Sequence, residues 1–246
     1  MITYLFLAIF ICLMGYMVYF QTVKSEDFIN SPYNSRQDTF ADRVVRGKIM
    51  SADGKVLAET VVDAAGNETR KYPYGNMYAH VVGFSTNGKS GIESNMNFNL
   101  LRSHSFVLER MFNEIKDEKS MGDNVVTTLD STLQETAYQA LGNYDGAVVV
   151  MEPSTGKVLA MVSKPDFDPN TIAADWDSII SEDNNNSVLL NRATQGLYPP
   201  GSTFKIITTL EYIRENPDYE NYSYSCNGSI TENDFTIHCY NNAVHG

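Results

Sequence analysis

The chain has 246 residues, 43% hydrophobic and 20% charged, with 8 prolines. That is globular composition, which excludes disordered, collagenous and simple-repeat chains and leaves room for one large domain or two modest ones. Eighteen Lys and Arg against 30 Asp and Glu give a net charge of −12, and without a basic cluster there is no footprint for nucleic acid.

Met1 to Phe20 are apolar apart from Thr3 and three tyrosines, and the first charged side chain is Lys24. Twenty helical residues span ~30 Å, the hydrocarbon thickness of a bilayer. A cleaved signal peptide would carry a basic start, a shorter apolar run and a small-residue site, none of which is present. The segment therefore reads as an uncleaved anchor, with a buried core helix as the alternative. No Lys or Arg precedes it, so orientation rests on the bulk of the chain that follows, which places the residues after it outside the cell.

Gln21 to Ala41 is polar and contains Ser31-Pro32, the pattern of a stalk. Val44 to Met50 and Lys55 to Ala58 flank a turn at Ala52-Asp53-Gly54, a hairpin signal. Short strands and turns are expected through Tyr72-Pro73-Tyr74, Val81-Val82-Gly83 and Gly88 to Gly91, making residues 43–120 a small strand-rich domain. Residues 125–129 read as a strand. Ser131-Thr-Leu-Gln134 is a capping-box pattern, with Leu133, Ala137, Ala140 and Leu141 at helical spacing up to Gly142-Asn143. Gly146 to Glu152, the turn Pro153 to Gly156, and Lys157 to Ser163 form a hairpin of near-continuous apolar strands, the type found inside a covered sheet. Asp175 to Asn186 is acidic and Asn-rich and reads as a solvated loop.

The spacing of the three cysteines matches no zinc site, and the four histidines form no metal-ligand pair. Cys226 and Cys239 lie 13 positions apart, so outside the cell they are either a disulfide or two free thiols.

Serine can be activated by a lysine one helical turn away, because i, i+3 spacing puts both side chains on one face. The pattern occurs twice here. Ser154-Thr-Gly-Lys157 is the hairpin turn, where Gly156 and the flanking strands deny it a helix. Ser202-Thr-Phe-Lys205 follows Tyr198-Pro-Pro-Gly201 and opens a helix through Ile213, apolar around most of its circumference and so expected to be buried. An N-capping serine with a snorkelling lysine is the structural alternative, although the helix dipole disfavours a cation in the first turn.

Pro-Pro-Gly-Ser-Thr-Phe-Lys at 199–205 resembles the active-site motif of class B penicillin-binding proteins, the monofunctional peptidoglycan transpeptidases. Four further stretches resemble that family in the same order. They are Arg46-Gly47-x-Ile49 with Gly54 to Ala58, then Gly91-Ile-Glu93, then Thr127 to Asp130 with Leu133-Gln134, and finally Gly146 to Gly156 with Pro165-x-Phe-Asp-Pro169-Asn170. Ser51 stands where many class B members have Asp. The arrangement is most similar to the short actinobacterial and clostridial type with a reduced pedestal.

The resemblance implies an α+β chain with an anchor at 1–22 and a membrane-proximal non-catalytic domain at 23–120. Residues 121–246 would be the N-terminal part of an antiparallel-sheet transpeptidase domain. Ser202 is then the nucleophile and Lys205 the general base, acting on stem peptides ending in D-Ala-D-Ala, with β-lactams as substrate mimics and no metal or organic cofactor. The implied surroundings are the membrane, a polymerase or other wall-synthesis proteins, and no nucleic acid. The family's Ser-x-Asn triplet and Lys-Thr-Gly strand cannot be placed, so the chain reads as cut in mid-domain. A class D β-lactamase or β-lactam sensor is the enzymatic alternative, disfavoured by the 201 residues before Ser202. A non-catalytic scaffold of the wall-building complex is the other.

Overall fold

The computed structural model describes residues 2–25, 28, 43–104, 119–181 and 187–246. Most of the expected stalk lies outside these residues. They divide into two compact units, Met1–Leu197 and Tyr198–Gly246.

Helix α1, Ile2–Tyr19, continues as a wider turn over Phe20–Lys24. The most apolar 18 residues within Ile2–Lys24 have a mean hydropathy of 2.1 and none of them is buried. It is long and apolar enough to cross a membrane, and its exposure fits an anchor better than a core helix.

The run from Val44 to Met50 is two strands rather than one, β1 (Val44–Val45) and β2 (Ile49–Met50). Between them Arg46 turns inward and Gly47 donates its N–H to Leu100 O at 2.9 Å. A Cβ on Gly47 would sit 2.0 Å from Asp123 O, so only glycine fits there. β2 pairs antiparallel with β3 (Val56–Val62), through a turn closed by Gly54 N to Ser51 O and with Gly54 at φ +82°. β3 pairs with the polar edge strand β4 (Glu68–Lys71), which carries no apolar alternation to announce it. The chain returns through β5 (Ser120–Met121), parallel to β1, and β6 (Val125–Val126), parallel to β2. The four-stranded order is β4-β3-β2-β6.

The strands expected at Val81-Val82 and in the glycine-rich segment are short helices instead: α2 (Ala79–Val82), α3 (Gly91–Asn95) and α4 (Asn97–Leu100). Runs of four or five residues carry no period that separates helix from strand. Their effect is to bring Glu93, fully buried, between two arginines. Arg46 Nε lies 2.6 Å and Arg70 Nε 2.7 Å from its two carboxylate oxygens, and Arg46 also donates to Asn97 Oδ1 at 2.5 Å. Around this cluster Ile49, Leu57, Ala58, Tyr72, Tyr78, Val82, Leu100 and Leu129 form the main core.

Helix α5, Ser131–Leu141, is capped by Asp130, whose carboxylate accepts the Thr132 and Leu133 N–H groups at 2.9 Å. The expected capping box does not form, and the cap lies one residue earlier than Ser131. Ser131 instead donates its hydroxyl to Asp53 at 2.5 Å, and Gln134 is buried, giving its amide to Met77 O and Met161 O. The packed face is Gln134, Ala137, Tyr138 and Leu141, whereas Leu133 and Ala140 are exposed. The expected hairpin is present as β7 (Gly146–Met151) and β8 (Val158–Lys164), paired from Gly146 with Lys164 to Met151 with Val158. It forms its own two-stranded sheet, with α5 on one face and Ala147, Val149 and Met151 exposed on the other, so within this chain it is half covered.

The acidic stretch expected as a loop is helical up to Ile180: α6 spans Ile172–Ile180, and residues 182–186 lie outside the described residues. Ile172, Trp176 and Ile179 recur at helical spacing and pack with Ala79, Phe84 and Phe167. The acidic residues between them masked that stripe. Pro165 to Asn170 is tied to the first part of the chain, with Asn170 exchanging hydrogen bonds with the Tyr72 backbone at 2.9 and 3.0 Å and Asn76 donating to Asp166 at 2.9 Å.

In the second unit a turn at Gly201–Thr203 leads into α7 (Phe204–Glu215), followed by the antiparallel pair β9 (Ser229–Glu232) and β10 (Phe235–His238).

Candidate active site

Pro200 has φ −68° and ψ −25°, a helical geometry that its ring presets, and Gly201 then takes φ +54°. That left-handed value is what lets the chain swing from the Pro-Pro approach straight into a helix. Thr203 donates both its N–H and its hydroxyl back to Pro200 O, at 3.2 and 2.6 Å, fixing the entry. Ser202 sits inside this tight first turn and makes no capping hydrogen bond. The N-capping alternative for Ser202 is thereby removed. Lys205 is in the first turn of α7, three residues on, where side chains of a tight turn eclipse. Both side chains are exposed, and among the described residues no hydrogen bond joins them.

Helix α7 forms as expected, but within its own unit it is not buried: Phe204, Ile206, Ile207 and Leu210 are all more than half exposed. Residues 198–246 supply only one short hairpin beside it, too little to cover a helix apolar on several sides. Its last turn alone has a ring contact, Tyr212 against Tyr222 at 5.3 Å.

The other Ser-x-x-Lys pair is the β7–β8 turn. Gly156 at φ +74° and the bond from Glu152 N to Lys157 O close the hairpin, while Thr155 bonds to the Glu152 carboxylate. Ser154 has no lysine held against it by a helix.

A second cluster went unseen in the spacing. Cys226 and Cys239 are free thiols with sulfurs 3.2 Å apart, beyond the ~2.05 Å of a disulfide. His245 Nδ1 lies 3.4 Å from Cys226 Sγ, so three side chains that seemed unrelated in sequence converge. The imidazole pulls the Cys226 thiol down to about 6, and the Cys226 sulfur pushes Cys239 up, against the positive charge of Lys205. The letters Ser-x-Asn occur after Ser202 at Ser225-Cys-Asn227, in the irregular segment before β9.

The profile of the penicillin-binding protein transpeptidase domain matches residues 146–245, and that of the penicillin-binding protein A dimerisation domain matches residues 46–125. The chain belongs to the class B penicillin-binding proteins. It is 40% identical over 187 residues to the peptidoglycan D,D-transpeptidase PbpA of Mycolicibacterium smegmatis, covering 67% of this chain and 36% of that protein. Among solved structures, penicillin-binding protein A from M. tuberculosis, determined as an imipenem acyl-enzyme complex, superposes with a TM-score of 0.72 at 32% identity, covering 84% of this chain and 51% of that one. The D,D-transpeptidase domain from Eggerthella lenta gives 0.69 at 35% identity over 83% and 45%. The chain thus spans about half the length, or less, of these relatives.

Family membership gives the buried ion cluster its meaning. Arg46 and Glu93, 47 positions apart in two of the family's motifs, are bonded to each other, so those motifs are the two halves of one structural lock.

Proposed function

We propose that this chain is part of a membrane-anchored peptidoglycan D,D-transpeptidase in which Ser202 is the acylated nucleophile and Lys205 its base. Ser202 Oγ attacks the carbonyl of a D-Ala-D-Ala stem peptide while Lys205 Nζ accepts the hydroxyl proton. D-Ala leaves, and an amine of a neighbouring stem resolves the acyl-enzyme into a cross-link. The helix N-terminus favours the negative charge that develops on the tetrahedral oxygen. What supports this reading is the i, i+3 spacing of Ser202 and Lys205 across the Gly201–Thr203 turn and the start of α7, behind the Pro200–Gly201 swing, within the residues matched by the transpeptidase profile.

The domain division 1–22, 23–120 and 121–246 belongs to the same reading. The anchor is α1 in a single pass, and everything after it lies outside the membrane. Partners are peptidoglycan stems, β-lactams and other wall-synthesis proteins. The apolar sides of α7 and the open face of β7 are where the remainder of a transpeptidase domain would pack. Without that cover the 246 residues alone would not be acylated.

The test is the acylation rate by a fluorescent penicillin of the natural full-length protein in membranes. Lys205→Ala is expected to cut the rate by about 10²–10⁴ at unchanged folding, as loss of a general base does. Lys205→Arg should do no better, because guanidinium cannot give up its proton in this range. A Lys205→Arg protein acylated at the wild-type rate would refute the assignment.

A further inference from the structure

We propose that a cavity in the first unit binds the carboxylate of a small, amino-acid-sized organic anion, with Arg70 as its main donor and Lys89 beside it. The cavity has a volume of about 340 Å³ and is lined from β3, β4, the loop between α2 and α3, and the residues flanking them. That is the lower end of the ~300–1,000 Å³ typical of small-molecule sites, and more room than a lone inorganic ion needs. Val44 and Leu101 line it with apolar surface, and Thr60 and Thr86 with hydroxyl groups.

The ion cluster leaves Arg70 unfinished. Its side chain is only 8% exposed. Nε is committed to Glu93 at 2.7 Å, and Nη1 to Gly47 O at 2.7 Å and Thr60 Oγ1 at 3.1 Å. The buried Nη2 has no hydrogen-bond partner among the described residues. Buried donors without an acceptor are rare in folded proteins, so this one marks a place where an acceptor belongs. Glu93 does not fill it, because its carboxylate already accepts from both arginines and from Tyr72. Thr60 accepts from Arg70, and its own hydroxyl proton goes to no described residue. Two open donors therefore stand side by side in the lining.

Charge selects the ligand's sign. Arg46 and Arg70 share the single carboxylate of Glu93, and Glu68 in the lining is held by Lys119 at 2.6 Å. Lys89 adds a further cation, so the excess in the cavity is positive. The loop carrying Thr86 and Lys89 is folded back by Asn87 at φ +55° and Gly88 at φ +108°, and closed by Ser90 N to Phe84 O at 3.1 Å. The planar fork of an arginine matches a carboxylate, and Val44 and Leu101 suit a carbon body rather than a phosphate ion. Arg46 to Leu101 fall within the dimerisation-domain match and outside the transpeptidase match, so this site is separate from the Ser202 chemistry.

The experiment takes the natural full-length protein in detergent, blocks its active site with penicillin, and titrates N-acetylglycine by ligand-observed NMR. The expected result is one saturable site that ignores N-acetylglycinamide, which has the same body without the charge. Arg70→Lys keeps a cation near Glu93 but removes the fork, and should raise Kd at least about tenfold. Lys89→Gln changes an exposed side chain, so the protein stays folded, and should raise Kd about threefold. Ser154→Ala should leave it unchanged. If Arg70→Lys does not fold, the amide comparison and Lys89→Gln decide. Absence of saturable binding, equal binding of the amide, an unchanged Kd in Lys89→Gln, or tighter binding of inorganic phosphate than of N-acetylglycine would overturn the proposal. Because the active site is blocked and the readout is binding, such a failure leaves the transpeptidase reading standing.

Discussion

The two regions that carry the family's motifs settle their side chains in opposite ways. Between residues 43 and 180 polar motif residues find partners within the chain: Arg46 with Glu93, Gln134 with the Met77 and Met161 carbonyls, Asn170 with the Tyr72 backbone. From Tyr198 onward the motif residues Ser202 and Lys205 stand exposed on a helix whose apolar sides are uncovered by their own unit. The first region is architecture, in which motif residues satisfy one another. The second leaves Ser202 and Lys205, the proposed nucleophile and base, without side-chain hydrogen-bond partners among the described residues.

Substitutions at the centre of the first region should break it most severely. Glu93→Gln leaves Arg46 and Arg70 facing each other in a buried site. Loss of one partner of such a network costs about 3–5 kcal/mol, so denaturant unfolding should show a collapse of the first unit's stability. Gly47→Ala forces a methyl against Asp123 O and should cost ~1–3 kcal/mol by the same measurement, as overpacking does. In the second region Gly201→Ala places a Cβ at φ +54°, a local penalty of ~1–2 kcal/mol. That change should slow penicillin acylation of the full-length protein while the first unit's unfolding midpoint stays put. Equal losses of stability in the first unit from Gly47→Ala and Gly201→Ala would erase the distinction.

The smallest effect is expected from Asp53. Hydrogen bonds from Ser131 and Ser51 hold its carboxyl down at about 2. Because its folded value lies below the usual ~3.9, its contribution is fully present above pH ~4 and is lost as pH falls toward 2. Asp53→Asn should therefore flatten the acid limb of the stability curve between those limits, lowering stability slightly at neutral pH and leaving it nearly unchanged at pH 2. Acid titration of unfolding in both proteins checks this.

What the sequence revealed follows the same division. The β7–β8 hairpin was legible because its strands are apolar and its turn is Pro-Ser-Thr-Gly. The Ser202 turn was legible because Pro-Pro-Gly dictates its backbone. The helical character of Ala79–Val82 was hidden by its length, and that of Ile172–Ile180 by the acidic residues between its three apolar anchors. The cap of α5 moved from Ser131 to Asp130 because Ser131 has a long-range partner in Asp53, which local pattern cannot show. The convergence of Cys226, Cys239 and His245 comes from the β9–β10 hairpin folding back, so no spacing rule for metal ligands reveals it. The burial expected for α7 was read from composition alone, and composition does not say which residues supply the cover.

The most direct test of the central claim is to map the acyl group itself. The natural full-length protein is treated with penicillin and digested, and the peptides are weighed by mass spectrometry. The account predicts one penicilloyl adduct, on the peptide carrying Ser202, with the Ser154 peptide unmodified. An adduct on Ser154, or an adduct elsewhere that persists in Ser202→Ala, would contradict it.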